Sequence, residues 1–242
     1  MTPAGPVLEG ESIRVVKGRR IVLDVGSVSV MPGEVLAVIG PNGAGKSTLL
    51  SVLACLEFPS RGKVSYKGHE VTRKNALSIR RKMAVVFQEP LLLDGTVLDN
   101  VILGPRLRRR EGPVRENALI WLERFGIPGA ATQMSHTLSG GEAQRASLAR
   151  AFALEPEILF MDEPFTAVDA ISRQGLIETF KGVQEAARTT TVLVTHDFQE
   201  VSALATRVVV LHEGKIRAEG TPDEIARHPI WGALAGIGPA NP

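Results

Sequence analysis

The chain is expected to fold as an α/β protein, with a mostly parallel sheet, an antiparallel β-subdomain and a helical insert subdomain. Three observations lead there. Short continuous apolar runs recur along the chain, the pattern of strands buried on both faces. Helical patterns fall between them, the alternation that covers both faces of such a sheet. At 242 residues the chain can bury one sizeable core with a subdomain.

Before Glu34, the alternation in SIRVV, RIVLDV and SVSV predicts small antiparallel strands. EVLAVIG, Glu34 to Gly40, predicts the first buried strand, followed by a glycine-rich turn and the helical pattern KSTLLSVLACLE. Four further buried runs are MAVVF (Met83 to Phe87), EILFM (Glu157 to Met161), TVLVT (Thr191 to Thr195) and RVVVL (Arg207 to Leu211). Helical patterns cover Pro113 to Phe125, Ser139 to Ala153 and Ala170 to Ala187. Gln88 to Ala153 holds several helical patterns and no clear strand. That places a helical subdomain at about 89–153 within a core of 1–88 and 154–242. VVVLHEGKIRAEG predicts a hairpin turning at Glu213-Gly214.

The turn after the first buried strand reads GPNGAGKST, Gly40 to Thr48. It matches G-x-x-x-x-G-K-[ST] in the required context, directly after a strand and opening a helix. The glycines let backbone N–H groups wrap phosphates, Lys46 adds positive charge, and Ser47 can ligate Mg²⁺ beside the helix N-terminus.

EILFMDEP sets Asp162 and Glu163 just past a strand's C-terminal end, where ligands bind in open α/β sheets. Beside a phosphate loop, Asp162 suits an outer-sphere partner of Mg²⁺, and Glu163 suits the group that orients or deprotonates an attacking water. TVLVTHD delivers His196 to the same edge, and MAVVFQ delivers Gln88. Each alone is an ordinary residue; four strands bringing phosphate-handling groups to one rim is a constellation. In LSGGEAQR, Leu138 to Arg145, Ser139 and Glu142 have the spacing of a capping box. The two glycines that follow leave helix N–H groups open to a close-approaching anion, which the helix dipole favours.

Composition narrows the partners. With 28 basic against 26 acidic residues, the net field is too weak to argue for nucleic acid or an acidic membrane surface. The lone Cys55 sits in an apolar run and reads as a small buried hydrophobe in a reducing compartment. MTPAGPVLEGES lacks a basic region followed by an apolar core, so no signal peptide is expected. No uncharged apolar run approaches the ~18 residues that span a bilayer, and a soluble chain is expected.

With these elements in chain order, the sequence resembles the nucleotide-binding subunit of ATP-binding cassette (ABC) transporters over nearly its whole length. The resemblance implies a P-loop NTPase (RecA-like) fold and an ATPase. The family's Walker A matches Gly40, Pro41, Asn42, Gly43, Ala44, Gly45, Lys46, Ser47 and Thr48; its Q-loop matches Gln88; its signature matches LSGGEAQR; its Walker B matches ILFMDE. Its D-loop matches TAVD ending in Asp169, and its switch histidine matches His196. Carried over, Lys46 and the loop amides hold the β- and γ-phosphates of ATP. Ser47, Gln88 and Asp162 serve Mg²⁺, Glu163 is the general base, and His196 contacts the γ-phosphate. Two subunits, identical or related, would pair head to tail on ATP. Ser139, Gly140 and Gly141 of one would then meet ATP held by the other, with Asp169 communicating across the dimer. Gln88 and EPLLLDGTVLDN lie where the family's transmembrane permease subunits dock.

Exporters of this family usually carry fused transmembrane helices. The resemblance therefore leans toward an importer, with the subunit peripheral on the cytoplasmic face of the cell (inner) membrane and a separate extracytoplasmic substrate-binding protein. No extra C-terminal β-domain is expected after EGTPDEIARHP. LLSVLACLEFPSRGKVSYKG and VVFQEPLLLDGTVLDNV are most similar to subunits of oxyanion importers of the tungstate and molybdate type, though polar amino-acid importers share most of the motifs. Two departures stand out. The family usually stacks adenine on an aromatic near Val16 or Lys17, and no Phe, Tyr, Trp or His precedes Phe58. The D-loop has Thr166 and Val168 where Ser and Leu are common. The alternative is a soluble ABC ATPase acting on nucleic acid or the ribosome, with RRK (Arg80 to Lys82) and RLRRR (Arg106 to Arg110) as phosphate contacts. Against it, no coiled-coil heptads separate Gln88 from Leu138 and there is one cassette. No direct nucleic-acid contact is expected. A nucleotide kinase is a third reading, disfavoured by LSGG and the histidine.

Overall fold

The computed structural model describes residues 5–230, apart from the side chain of Ile171. The first four residues of the stretch read for a signal peptide, and the chain after Ile230, lie outside it. The described chain divides into two compact units, 5–80 with 190–230 and 81–189.

The first stretch holds β1 (Leu8–Lys17), β2 (Arg20–Val30), β3 (Val35–Ile39), α1 (Lys46–Leu53), β4 (Arg61–Tyr66), β5 (His69–Glu70) and α2 (Ala76–Arg80). The second unit holds β6 (Met83–Val86), α3 (Val97–Leu107), α4 (Val114–Arg124), α5 (Gly140–Phe152), β7 (Ile158–Asp162) and α6 (Ala170–Ala187). The chain then returns to the first unit with β8 (Thr190–Val194), α7 (Phe198–Leu204), β9 (Arg207–His212), β10 (Lys215–Gly220) and α8 (Pro222–Arg227).

In the first unit, β3 lies between β8 and β9 and runs parallel to both, with Ala37 level with Leu193 on one side and Val208 on the other. All five residues of β3 and of β8 are buried, which is why both read as unbroken apolar runs. The β9–β10 hairpin turns at Glu213 and Gly214, with φ of 50° and 74°, a pair of left-handed residues that matches strand twist. Ala37, Ile39, Val208 and Val210 pack with Val201 of α7 and Ile225 of α8. Arg207 bridges Glu34 at 2.7 Å and also pairs with Glu219.

The same unit carries a four-stranded antiparallel sheet, ordered β2-β1-β4-β5. Two details differ from expectation. RIVLDV and SVSV form one strand, β2, because Ser27 and Val28 stay paired with Glu11 and Gly10 across the Gly26 position that reads as a break. The β4–β5 hairpin was not expected, since in the charged segment RGKVSY only Val64 and Tyr66 are buried.

In the second unit β6 and β7 run parallel, Met83 level with Ile158. Phe152 stands at the centre of an aromatic cluster, with ring centroids 5.1 Å from Trp121, 5.5 Å from Phe125 and 6.1 Å from Phe180. The segment 89–153 read as a helical insert lies wholly within this unit. No helix among the described residues is long and apolar enough to cross a membrane.

Candidate functional site

In the first unit the phosphate loop is held by backbone approach. Gly40 has φ 152°, and a Cβ there would lie 2.0 Å from the Leu211 carbonyl oxygen, so the loop leaves β3 by a path closed to any side chain. Gly45, at φ 102°, is the N-cap of α1 and supplies no side-chain cap, which leaves the first N–H groups of α1 facing the loop. Lys46 is 6% exposed, and its Nζ donates to the carbonyls of Gly40 at 2.9 Å and Pro41 at 3.2 Å. Ser47, Asn42 and Gly43 are exposed. The β9–β10 turn braces the loop from below: Gly214 N–H donates to Ala44 O at 2.9 Å, and Gly214 O accepts from Asp24 N–H at 2.7 Å.

His196 follows β8 and is exposed. Its backbone is fixed by neighbours. Thr195 Oγ1 donates to the buried Glu200 at 2.6 Å and accepts from Asp197 N–H at 3.0 Å.

In the second unit, Gln88 is exposed just after β6. The backbone beyond it is clamped: Arg150 donates to the Pro90 and Leu91 carbonyls, and Ser135 Oγ donates to Leu93 O at 2.8 Å. Asn100, 2% exposed, accepts from Leu93 N–H at 2.7 Å and donates to Leu93 O at 2.9 Å. The side chains of Leu91 and Leu93 remain exposed. The segment thus presents apolar tips on a fixed backbone.

Asp162 ends β7, half-buried, and Glu163 beside it has φ 46°, a left-handed backbone that is strained for a residue with a Cβ. Asp169 is exposed, and its Oδ1 accepts from Ser172 N–H at 3.0 Å as α6 begins.

The signature stretch forms the expected capping box. Ser139 Oγ and N–H donate to Glu142 Oε2 at 2.6 and 3.0 Å, and Glu142 N–H donates back to Ser139 Oγ at 3.3 Å. The Ser139 hydroxyl and N–H hold the Glu142 carboxyl below its ordinary value. Ser139 and Gly140 are exposed. A Cβ on Gly140 would lie 3.1 Å from the Ala167 carbonyl oxygen, so the D-loop packs on the first turn of α5. Cys55 is buried at the end of α1, and burial pushes its thiol up to about 11.

The site residues expected from sequence therefore stand at element ends and turns of the two units. Asn100, Gln144 and Gly214 lie in stretches that the sequence singles out, but their structural roles, like that of Arg150, do not follow from it. Gln144 had a visible signal, a polar residue on the apolar stripe with Leu148, whereas Asn100, Arg150 and Gly214 depend on backbone approaches that no local pattern encodes.

The architecture is consistent with the comparisons. A family profile described as ABC transporter matches residues 23–166. The sulfate/thiosulfate import ATP-binding protein CysA 2 of Chromobacterium violaceum is 39% identical over 90% of this chain and 60% of its own length; the chain thus spans about three fifths of that relative. The intermembrane phospholipid transport system ATP-binding protein MlaF of Haemophilus influenzae is 34% identical, over 90% of this chain and 85% of its own. Among solved structures, a post-hydrolysis dimer of the ATP-binding cassette MJ0796, bound to ADP and Pi, superposes with a TM-score of 0.80 and 28% identity, covering 89% of this chain and 98% of that one. Phosphate loop, signature helix and strand-end carboxylates, found with this degree of likeness, mean that the chain belongs to the ABC transporter family.

Proposed function

We propose that the chain is the ATP-hydrolysing subunit of a membrane importer, peripheral on the cytoplasmic face, whose cargo is a tetrahedral oxyanion. The phosphate loop carries this reading. A loop with no space at Gly40 for a side chain, a buried lysine with Nζ on its carbonyls and a helix start without a side-chain cap suit a polyphosphate. The backbone of Gly40 to Thr48 and Lys46 hold the β- and γ-phosphates. Ser47, Gln88 and Asp162 are the residues that would serve a Mg²⁺ ion, which would neutralise charge on those phosphates. Glu163 takes the proton of the attacking water, and His196 contacts the γ-phosphate. Ser139, Gly140 and Gly141 offer hydroxyl and N–H donors to ATP on a second subunit, Asp169 links the two subunits, and the apolar tips of the 91–93 segment meet the permease.

The relatives named for sulfate and thiosulfate import support the oxyanion class over the polar amino-acid alternative. The basic runs lend little to a nucleic-acid role: Arg108 donates to Met83 O at 2.9 Å, and Arg110 and Lys82 pair with Glu155 and Glu157. A second reading, the ATPase of a phospholipid carrier, is favoured by the likeness to the MlaF protein.

The purified chain should hydrolyse ATP with Mg²⁺, and Glu163→Gln should accumulate an ATP-bound dimer with little hydrolysis. Hydrolysis by that variant at the parent rate would remove Glu163 as the base. With the permease and binding protein reconstituted in vesicles, ATP-dependent uptake of labelled sulfate or molybdate supports the oxyanion. Extraction of fluorescent phospholipid without such uptake selects the second reading.

A further inference from the structure

Gln144 is wholly buried, and neither its amide nitrogen nor its amide oxygen has a hydrogen-bond partner among the described residues. A buried amide left in this state is destabilising, so its retention in the first turns of α5 asks for a second state in which it is satisfied. Helical side chains lean toward the helix N-terminus and cover the turn before their own Cα. For Gln144 that turn is Gly140 and Gly141, four and three residues earlier, which have no side chains to fill the space. What packs there is the D-loop and the start of α6. A Cβ at Gly140 would be 3.1 Å from Ala167 O, and one at Gly141 would be 3.7 Å from Val168 Cγ1 and 4.0 Å from Ser172 Cβ. Within the segment leading to it, Thr166 N–H donates to Glu163 O at 3.3 Å, Val168 N–H donates to Phe165 O at 3.2 Å, and Val168 O accepts from Arg173 at 3.2 Å. It begins at Glu163, whose backbone is strained at φ 46°.

We propose that Gln144 is a positioning residue for ATP hydrolysis, whose amide takes backbone partners in the Thr166–Asp169 segment when α5 closes over nucleotide and thereby fixes the segment that starts at Glu163. This rests on the reading of the chain as an ATPase that dimerises on ATP. An unpaired buried amide and a glutamate with a left-handed backbone sit at the two ends of one short packed segment. A single shift of that segment can relieve both. Gln144 acts through the loop.

The test is Gln144→Met, which keeps the side chain's length and volume and removes its hydrogen bonds. Without nucleotide, the variant should melt a few degrees above the parent, because an unsatisfied amide has been replaced by an apolar group. With ATP and Mg²⁺, kcat should fall by about tenfold or more with KM little changed, since the phosphate loop is untouched. In the Glu163→Gln background, Gln144→Met should raise the ATP concentration needed for half-dimerisation. A lower melting point in the nucleotide-free variant would mean the amide already has a partner, and a kcat equal to the parent's would mean the loop does not need it; either overturns the proposal. Absence of hydrolysis by the parent would instead overturn the ATPase reading.

Discussion

Arg150 donates to the carbonyl of Leu91 at 2.9 Å and to that of Pro90 at 2.7 Å, so the helix that begins at the signature holds the backbone just beyond Gln88. Burial lowers the guanidinium's pKa, and among the described residues it has no carboxylate partner; its function is to donate to backbone. Two successive carbonyls suit the planar fork of arginine and not an ammonium. Arg150→Lys should cost about 1.5–3 kcal/mol through the lost charged hydrogen bond. The melting temperature should fall, and amide exchange at residues 91–93 should quicken. Unchanged exchange there would show that Asn100 and Ser135 suffice as the clamp.

Gly214 braces the phosphate loop from a turn remote in sequence. It has φ 74°, and a Cβ would sit 2.7 Å from the Val22 carbonyl oxygen. Gly214→Ala therefore combines left-handed strain with a backbone clash, about 2–3 kcal/mol together. Gly18 is the control: it also has positive φ, at 63°, but nothing lies within 4 Å, so Gly18→Ala should cost only about 1 kcal/mol. Because Gly214 N–H holds Ala44 O, ATP affinity should fall in Gly214→Ala and not in Gly18→Ala. Urea melts and nucleotide titrations of the two variants check this. Equal affinities would confine the brace to stability.

The contrast between these residues and the motifs explains what could be read in advance. β3, β7 and β8 were legible because strands buried on both faces leave no polar alternation, and their ends located Gly40, Asp162 and Thr195. The capping box was legible because its two partners are three residues apart. Thr221 and Glu224 form another such box at the start of α8, with the same three-residue spacing in TPDE. Arg150 is different. On its helix it resembles a solvated cation, and only the approach of the Pro90–Leu91 backbone gives it a role. β2 was split at Gly26 because the pairing that keeps it extended comes from β1.

The capping box itself makes a pH prediction. Hydrogen bonds from Ser139 favour the ionised Glu142, so its folded-state pKa lies below the unfolded one. Its contribution to stability is present above the ordinary glutamate pKa and is lost as pH falls through the lowered folded value. Ser139→Ala should lose about 1 kcal/mol near pH 7. That difference should shrink in acid, once the pH is below the lowered folded-state value and Glu142 protonates in both proteins. Urea melts at both pH values measure it; a difference independent of pH would assign the effect to the Ser139 hydroxyl as acceptor alone.

Val16 lies opposite Ile21 in the β1–β2 ladder, and both are exposed, at 41% and 52%. Two aliphatic side chains form an apolar surface where the family resemblance expects an aromatic to stack on adenine. Without a ring, the base contributes less than the triphosphate to binding, and base–aromatic stacking elsewhere is worth about 1–3 kcal/mol. The phosphate loop recognises ATP and GTP alike, so discrimination between them should be poor in the parent chain. Val16→Tyr should tighten ATP binding by roughly fivefold to a hundredfold. Its ring would lie against Ile21 on the exposed face of the ladder, with little effect on folding. Competition of GTP against a fluorescent ATP analogue measures both effects. Superimposable curves for parent and variant would mean that the base is held elsewhere and that Val16 is simply an exposed strand residue.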